Sequence, residues 1–150
     1  MKDIILRELR YSPGYSDMRG ARHEEVLKKD ENGTWIIVCS DRDYYNAPVI
    51  VTTYEVKTDK VLDFEAFLKK KDILSLQNRK QSKDFICDYH PWEFRLIFDD
   101  ISLEKSKYEY YSFDQYKSFS YKDMSLIKKL RENFKALRGA KISEITKDIW

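Results

Sequence analysis

Residues 21–40 read ARHEEVLKKDENGTWIIVCS, and this stretch decides the fold. Its centre, Asp30-Glu31-Asn32-Gly33, is the strongest hairpin signal of the chain, because Gly33 suits the left-handed position of a three-residue loop. Residues 21–29 form a strand before the loop, and residues 34–40 form a strand after it. The second strand is apolar on both faces, which is typical of a central strand covered by helices on at least one face. The stretch therefore predicts an antiparallel sheet.

Four further strands are predicted outside this hairpin. They cover residues 3–12, residues 49–57, residues 92–98 and a last segment that starts at about residue 107. Alternation of apolar and polar side chains in the first of them slips near Glu8, which predicts a β-bulge there.

Two helices accompany the strands. The first covers about 59–71, with Thr58 as its cap and an apolar stripe on one face. The second covers about 121–138, with Ser120 and Asp123 as a capping box and Gly139 as its terminator. The stripe residues are Val61, Phe64 and Leu68 in the first helix, and Met124, Ile127, Leu130, Phe134 and Leu137 in the second. We predict an α+β fold: a single antiparallel sheet of five to six strands packed against two helices, in one domain over residues 1–150.

Seven aromatic residues fall between positions 108 and 121: Tyr108, Tyr110, Tyr111, Phe113, Tyr116, Phe119 and Tyr121. Because a strand alternates its side chains, these rings must divide between two faces. We expect Tyr111 and Phe113 to point into the core beside the strand of residues 92–98. We expect Tyr108, Tyr110, Tyr116 and Tyr121 to stay partly exposed and to bind a partner, since exposed clustered tyrosines are typical of binding hot spots.

A second candidate surface surrounds the connection at residues 13–22. Arg10, Tyr15, Arg19 and Arg22 mix arginine with tyrosine, a combination that grips phosphates, stacks on bases or lines a protein-binding rim. The formal net charge of only +2 favours a protein partner over nucleic acid, which remains an alternative.

The two cysteines and two histidines leave one metal hypothesis open. A loop that closes Asp30 on Thr34 pairs residue 25 with residue 39, so His23 and Cys39 become diagonal neighbours on one face. Cys87 and His90 lie close together in sequence and would complete a Cys2His2 zinc site. Buried free thiols are the simpler interpretation, and the sequence predicts no cofactor.

A metal-dependent nuclease is the alternative function. Asp43 and Glu55 are candidate Mg²⁺ ligands, and Lys57 is a candidate partner for a scissile phosphate. Short acid–base patterns of this kind are common by chance.

The composition favours a binding function. No nucleophile elbow, oxyanion loop or phosphate-binding glycine loop is present, which makes an enzyme the less favoured interpretation. We predict a non-enzymatic protein-binding module, a small inhibitor or interaction protein of a phage or mobile element. It is expected to be cytoplasmic, to avoid membranes, and to exist as a monomer or weak dimer.

Overall fold

The computed structural model describes residues 4–14, 20–82, 91–101 and 107–150. In these residues seven strands form one antiparallel sheet with the order β6-β5-β1-β2-β3-β4-β7. The strands are β1 (Ile4–Ser12), β2 (Arg22–Lys29), β3 (Trp35–Arg42), β4 (Val49–Glu55), β5 (Glu93–Asp100), β6 (Lys107–Asp114) and β7 (Lys141–Lys147). The helices are α1 (Thr58–Lys70), a 3-10 helix (Ile73–Asn78) and α2 (Tyr121–Lys135).

The predicted α+β class is confirmed, but the strand count of five to six is wrong because β7 was not foreseen. This strand pairs with β4 at one edge of the sheet, and all its side chains are exposed. Its apolar residues, Ile142 and Ile145, are three positions apart, so they lack the alternation that marks a half-buried strand. The pairing of β7 therefore relies on backbone hydrogen bonds.

The central hairpin forms as its sequence predicts. Glu25 lies opposite Cys39, and Gly33 has a φ of 80°. The Asp30 carboxylate accepts hydrogen bonds from the backbone of Asn32 at 2.8 Å and of Thr34 at 3.0 Å. Inside the loop, the Asp30 carboxylate accepts hydrogen bonds that a backbone carbonyl would otherwise accept. It thereby holds the loop conformation and the register of β2 against β3.

A bulge in β1 sets which side chains face the helices. The register between β1 and β5 shifts between Leu6 and Glu8, where the prediction placed it. Because one extra residue is inserted, both Leu6 and Leu9 enter the core although their spacing is odd. Arg7 and Glu8 are left on the opposite face.

Both long helices pack on one face of the sheet. Their buried apolar side chains are Val61, Phe64, Leu68, Ile127, Leu130 and Phe134. Leu137, predicted as part of the second helix, lies beyond its end but is buried in the same core cluster. Two details of the prediction were wrong. Met124 is 42% exposed, and Thr58 is the first residue of α1, where Lys57 occupies the cap position without a side-chain hydrogen bond.

Gly139 has a different role from the predicted helix terminator. The helix ends earlier, at Lys135, and the Gly139 N–H donates to the Glu55 carbonyl at 2.8 Å. A Cβ atom at this position would lie 2.6 Å from the same oxygen. The glycine is therefore required by the close approach of two backbones where the chain leaves α2 and joins β4.

The start of α2 is held by an ion pair as well as by the predicted capping box, which is confirmed. Arg79 donates to Asp123 through Nε at 2.9 Å and Nη2 at 3.0 Å, while Asp123 and Ser120 exchange backbone-to-side-chain hydrogen bonds. The Arg79 guanidinium and the Ser120 N–H hold the pKa of Asp123 below its ordinary value. The carboxylate is thus more stable in the folded protein than in the unfolded chain.

We expect Asp123→Ala to lower the free energy of unfolding by about 1–2 kcal/mol at neutral pH. The pKa of Asp123 is lower in the folded protein than in the unfolded chain. The stability supplied by its charged form is therefore complete above about pH 4 and is lost as the pH falls through the folded pKa. Urea unfolding at several pH values checks this, with Ser120→Ala, which removes only the cap, as the control. If the loss of unfolding free energy in Asp123→Ala stayed constant down to pH 2, the depressed pKa of Asp123 would be contradicted.

Candidate functional site

The sheet has an inner face against the helices and an outer face that carries two candidate binding surfaces. The buried apolar cluster joins the helices to inward residues such as Leu9, Leu27 and Ile37. Their neighbours Val26 and Ile36 point the other way and do not belong to that cluster. Within the described residues, no helix packs on this outer face.

The first candidate, which we call the tyrosine surface, consists of Tyr108, Tyr110, Ile97 and Ile5. Tyr108 lies opposite Asp99, which pairs with Ile5, and Tyr110 lies opposite Ile97. Tyr108 is 63% exposed and Tyr110 is 48% exposed. The structure therefore places two predicted binding residues side by side, next to exposed aliphatic surface.

Arg7, which lies on the outer face because of the bulge, is held in a defined position at one end of the tyrosine surface. It forms an ion pair with Asp99, and its Cζ lies 5.4 Å from the ring centroid of Tyr108. An arginine held by a carboxylate and a ring loses little conformational freedom when a partner binds.

The other two rings of β6 point into the core, so the predicted division of the rings is confirmed. Phe113 is fully buried, with its centroid 5.5 Å from that of Phe94. Tyr111 packs edge-to-face on Phe98 at 5.8 Å. Burial raises the pKa of Tyr111 to about 12, together with the hydrogen bond that its hydroxyl donates to the neighbouring Glu109 carboxylate.

Tyr116 and Tyr121 do not join the tyrosine surface. Tyr121 is 96% exposed as the first residue of α2, on the helical side of the sheet. Tyr116 is half-buried in the turn after β6, where its carbonyl accepts from the Ser82 N–H at 2.6 Å. Their predicted binding role stays a prediction.

The second candidate, which we call the arginine cleft, is a cavity of about 320 Å³ where β1 ends and β2 begins. Its charged lining includes Arg10, Arg22, Arg42 and Arg95. Arg10 lies directly opposite Arg95, and Arg22 lies directly opposite Arg42. Of the predicted residues, Arg10 and Arg22 are thus brought together, whereas Tyr15 and Arg19 lie outside the described residues.

The four arginines differ in how their charge is balanced. Arg10 pairs with Glu8 at 3.2 Å and with Glu24 at 3.3 Å, and Arg95 pairs with Glu93 at 2.6 Å. Among the side chains that the structure describes, neither Arg22 nor Arg42 has a carboxylate partner.

Aromatic rings hold these two arginines instead. The Trp150 ring centroid lies 4.1 Å from Cζ of Arg22 and 5.9 Å from Cζ of Arg42. Arg42 also donates Nε to the Gly20 carbonyl at 3.0 Å and lies 5.9 Å from the Tyr45 ring. These contacts orient both guanidinium groups, and within the described ranges of the chain most of their N–H donors have no protein acceptor and can bind an anion.

A polar cluster on the inner face includes the residues of the zinc hypothesis. His23 contacts Glu25 at 3.0 Å through Nε2 and Asp41 through Nδ1, and Arg138 forms an ion pair with Glu25. Burial and the Asp41 charge raise the pKa of the nearby Cys39 to about 12.

Cys87 and His90 lie outside the described residues. Within the described ranges, no three histidine, cysteine or acidic side chains are arranged so that they could hold a metal ion. The zinc hypothesis therefore stays untested.

The nuclease candidates are not brought together. Asp41 pairs with Ile50 at the start of β4, whereas Glu55 ends that strand about 17 Å away, so Asp43 and Glu55 belong to opposite ends of the sheet. Lys57 occupies the cap position of α1. These residues do not form a shared metal site in this structure.

Compared with known protein families, with curated proteins and with solved structures, the chain shows no match. In the described ranges, the helices are too short or too polar to cross a membrane. Functional inference therefore depends on the two outer surfaces.

Proposed function

We propose that this protein is a non-enzymatic protein-binding module whose partner docks on the tyrosine surface. The observation that carries the proposal is the pair of neighbouring, exposed rings of Tyr108 and Tyr110 on β6. Tyrosine buries a large rigid area at low entropic cost and leaves its hydroxyl available for a hydrogen bond.

The surroundings of the two rings support a protein partner. Ile5 and Ile97 add aliphatic area, and the Arg7 guanidinium lies over the Tyr108 ring. Tyrosine and arginine are among the residues most enriched in binding hot spots, which lie at well-packed centres surrounded by polar residues.

The proposal extends to the setting in which the module works. Cys39 is free and buried, as thiols commonly are in a reducing compartment. We place the protein in the cytoplasm as a small inhibitor or interaction protein.

The double substitution Tyr108→Ser and Tyr110→Ser should leave the unfolding midpoint nearly unchanged, because both rings are largely outside the core. We expect the double variant to capture at least about tenfold less of the binding partner from a lysate of the cells in which the protein naturally occurs. Quantitative mass spectrometry of captured proteins, beside a denaturant titration, checks both expectations.

Tyr44→Ser is the matched control, since Tyr44 is an exposed tyrosine in the turn after β3, far from β6. It should change neither quantity. Equal recovery of the partner by the double variant and the unmodified protein would overturn the proposal. So would a large loss of stability in the double variant, because the rings would then belong to the core.

A further inference from the structure

The arginine cleft is separate from the tyrosine surface and has a chemistry of its own. We propose that it binds the phosphate group of a small phosphate monoester, with Arg22 and Arg42 as the groups that contact the phosphate. This inference does not depend on the protein-binding proposal.

The charge arrangement is the first step. Arg22 and Arg42 face each other on neighbouring strands, and like charges in that position destabilise a sheet. The other facing pair, Arg10 and Arg95, has glutamate partners that compensate it. In the part of the chain that is described, Arg22 and Arg42 lack such compensation, which an external anion would supply.

The second step is the fixed position of the two groups. Cζ of Arg22 lies over the Trp150 ring, 4.1 Å from its centroid, and Cζ of Arg42 lies 5.9 Å from the same centroid. The Gly20 carbonyl accepts a hydrogen bond from Arg42 Nε. A cation–π contact uses no N–H donor, so these ring contacts leave the N–H groups available for a fork-shaped contact with an oxyanion. The site therefore needs little rearrangement to bind an anion.

The backbone around Gly20 supports this arrangement. Gly20 has a φ of +87°, and a Cβ atom there would lie 2.8 Å from the backbone nitrogen of Tyr45. Only glycine allows the chain to pass so close to the turn after β3. This close approach sets the position of the Gly20 carbonyl, which accepts the hydrogen bond from Arg42.

The charge count selects a phosphate monoester over a carboxylate. A phosphate monoester carries about −1.5 to −2 charges near pH 7, which matches two uncompensated guanidinium groups, whereas a carboxylate carries only one. The cavity of about 320 Å³ exceeds what the phosphate alone needs and extends towards Tyr11 and Arg10. Its size lies at the lower end of the range for small-molecule sites, so the remainder of the ligand fits there.

Calorimetric titration of the full chain tests the proposal with inorganic phosphate, ribose 5-phosphate and adenosine 5′-monophosphate, beside ribose and adenosine. At least one ester should bind about tenfold more tightly than inorganic phosphate, and the two unphosphorylated compounds should not bind. Arg22→Gln and Arg42→Gln should each weaken the ester by at least about tenfold.

Lys128→Gln, which removes one exposed charge from α2, is the control and should bind normally. Without ligand, Arg42→Gln should keep a melting temperature close to that of the unmodified protein, because relief of the like-charge contact offsets the lost hydrogen bond to the Gly20 carbonyl. The ester should raise the melting temperature of the unmodified protein and not that of Arg42→Gln, which separates ligand binding from a structural role.

Three results would overturn the proposal. The first is an affinity for both esters no higher than for inorganic phosphate. The second is equal weakening by Lys128→Gln and by the two arginine variants. The third is a single-stranded oligonucleotide or an acidic peptide that binds through the same arginines far more tightly than either ester.

Discussion

Phe134→Ala should lower the free energy of unfolding by about 3–5 kcal/mol, the usual cost of a large-to-small change in a packed core. Phe134 is 2% exposed and joins α2 to both α1 and the sheet. Its ring centroid lies 6.2 Å from that of Phe64 and 6.1 Å from that of Tyr11. The substitution would leave a cavity where these elements meet, and denaturant unfolding measures the loss.

Met124→Ala on the same helix is the control for this prediction. Its side chain is substantially exposed, so we expect a change below about 1 kcal/mol. If Phe134→Ala also cost less than about 1 kcal/mol, the apolar stripe of α2 would not be the core of this fold. A partner or a second copy of the chain would then have to cover it.

Arg138→Met should cost about 3 kcal/mol, because it leaves a carboxylate in the core without its guanidinium partner. Glu25 is 8% exposed and forms an ion pair with Arg138, whose Cζ also lies 5.3 Å from the Tyr54 ring. Burial lowers the pKa of Arg138, although it does not become neutral near pH 7. The remaining contact between Glu25 and His23 keeps the expected loss at the low end of the range for broken buried pairs.

Adding Glu25→Gln to Arg138→Met should restore much of the lost stability, since a neutral amide is less costly to bury than an uncompensated carboxylate. Chemical denaturation of the single and double variants measures this coupling. A double variant that is less stable than Arg138→Met alone would show that the Glu25 charge is stabilised by other groups.

Local patterns were sufficient to predict most of the architecture. The hairpin register around Gly33, the bulge near Glu8 and the capping box at Ser120 each follow from a few neighbouring residues. Periodicity identified the inward faces of both helices, except at Met124, which continues the apolar spacing but lies at the exposed end of its stripe. These features depend on interactions close in sequence.

Features that depend on long-range pairing were not predictable. The edge strand β7 has no apolar alternation, and Gly139 is explained only by its backbone contact with Glu55.

Strand alternation was enough to identify Tyr108 and Tyr110 as outward residues. The arginine cleft required the register of β1 with β5 and of β2 with β3, which brings Arg95 and Arg42 beside the predicted Arg10 and Arg22.

The most direct test of the binding surface is site-specific photo-crosslinking. The photoreactive residue p-benzoylphenylalanine would replace Tyr110 in one sample and Tyr44 in another, and both proteins would be irradiated in the cells that encode this protein. Both positions are exposed tyrosines, so the samples differ only in the surface that carries the label. We expect a discrete crosslinked product from position 110, removed by the further change Tyr108→Ser, and none from position 44. A product from position 44 alone, or none from either position, would contradict binding at the tyrosine surface.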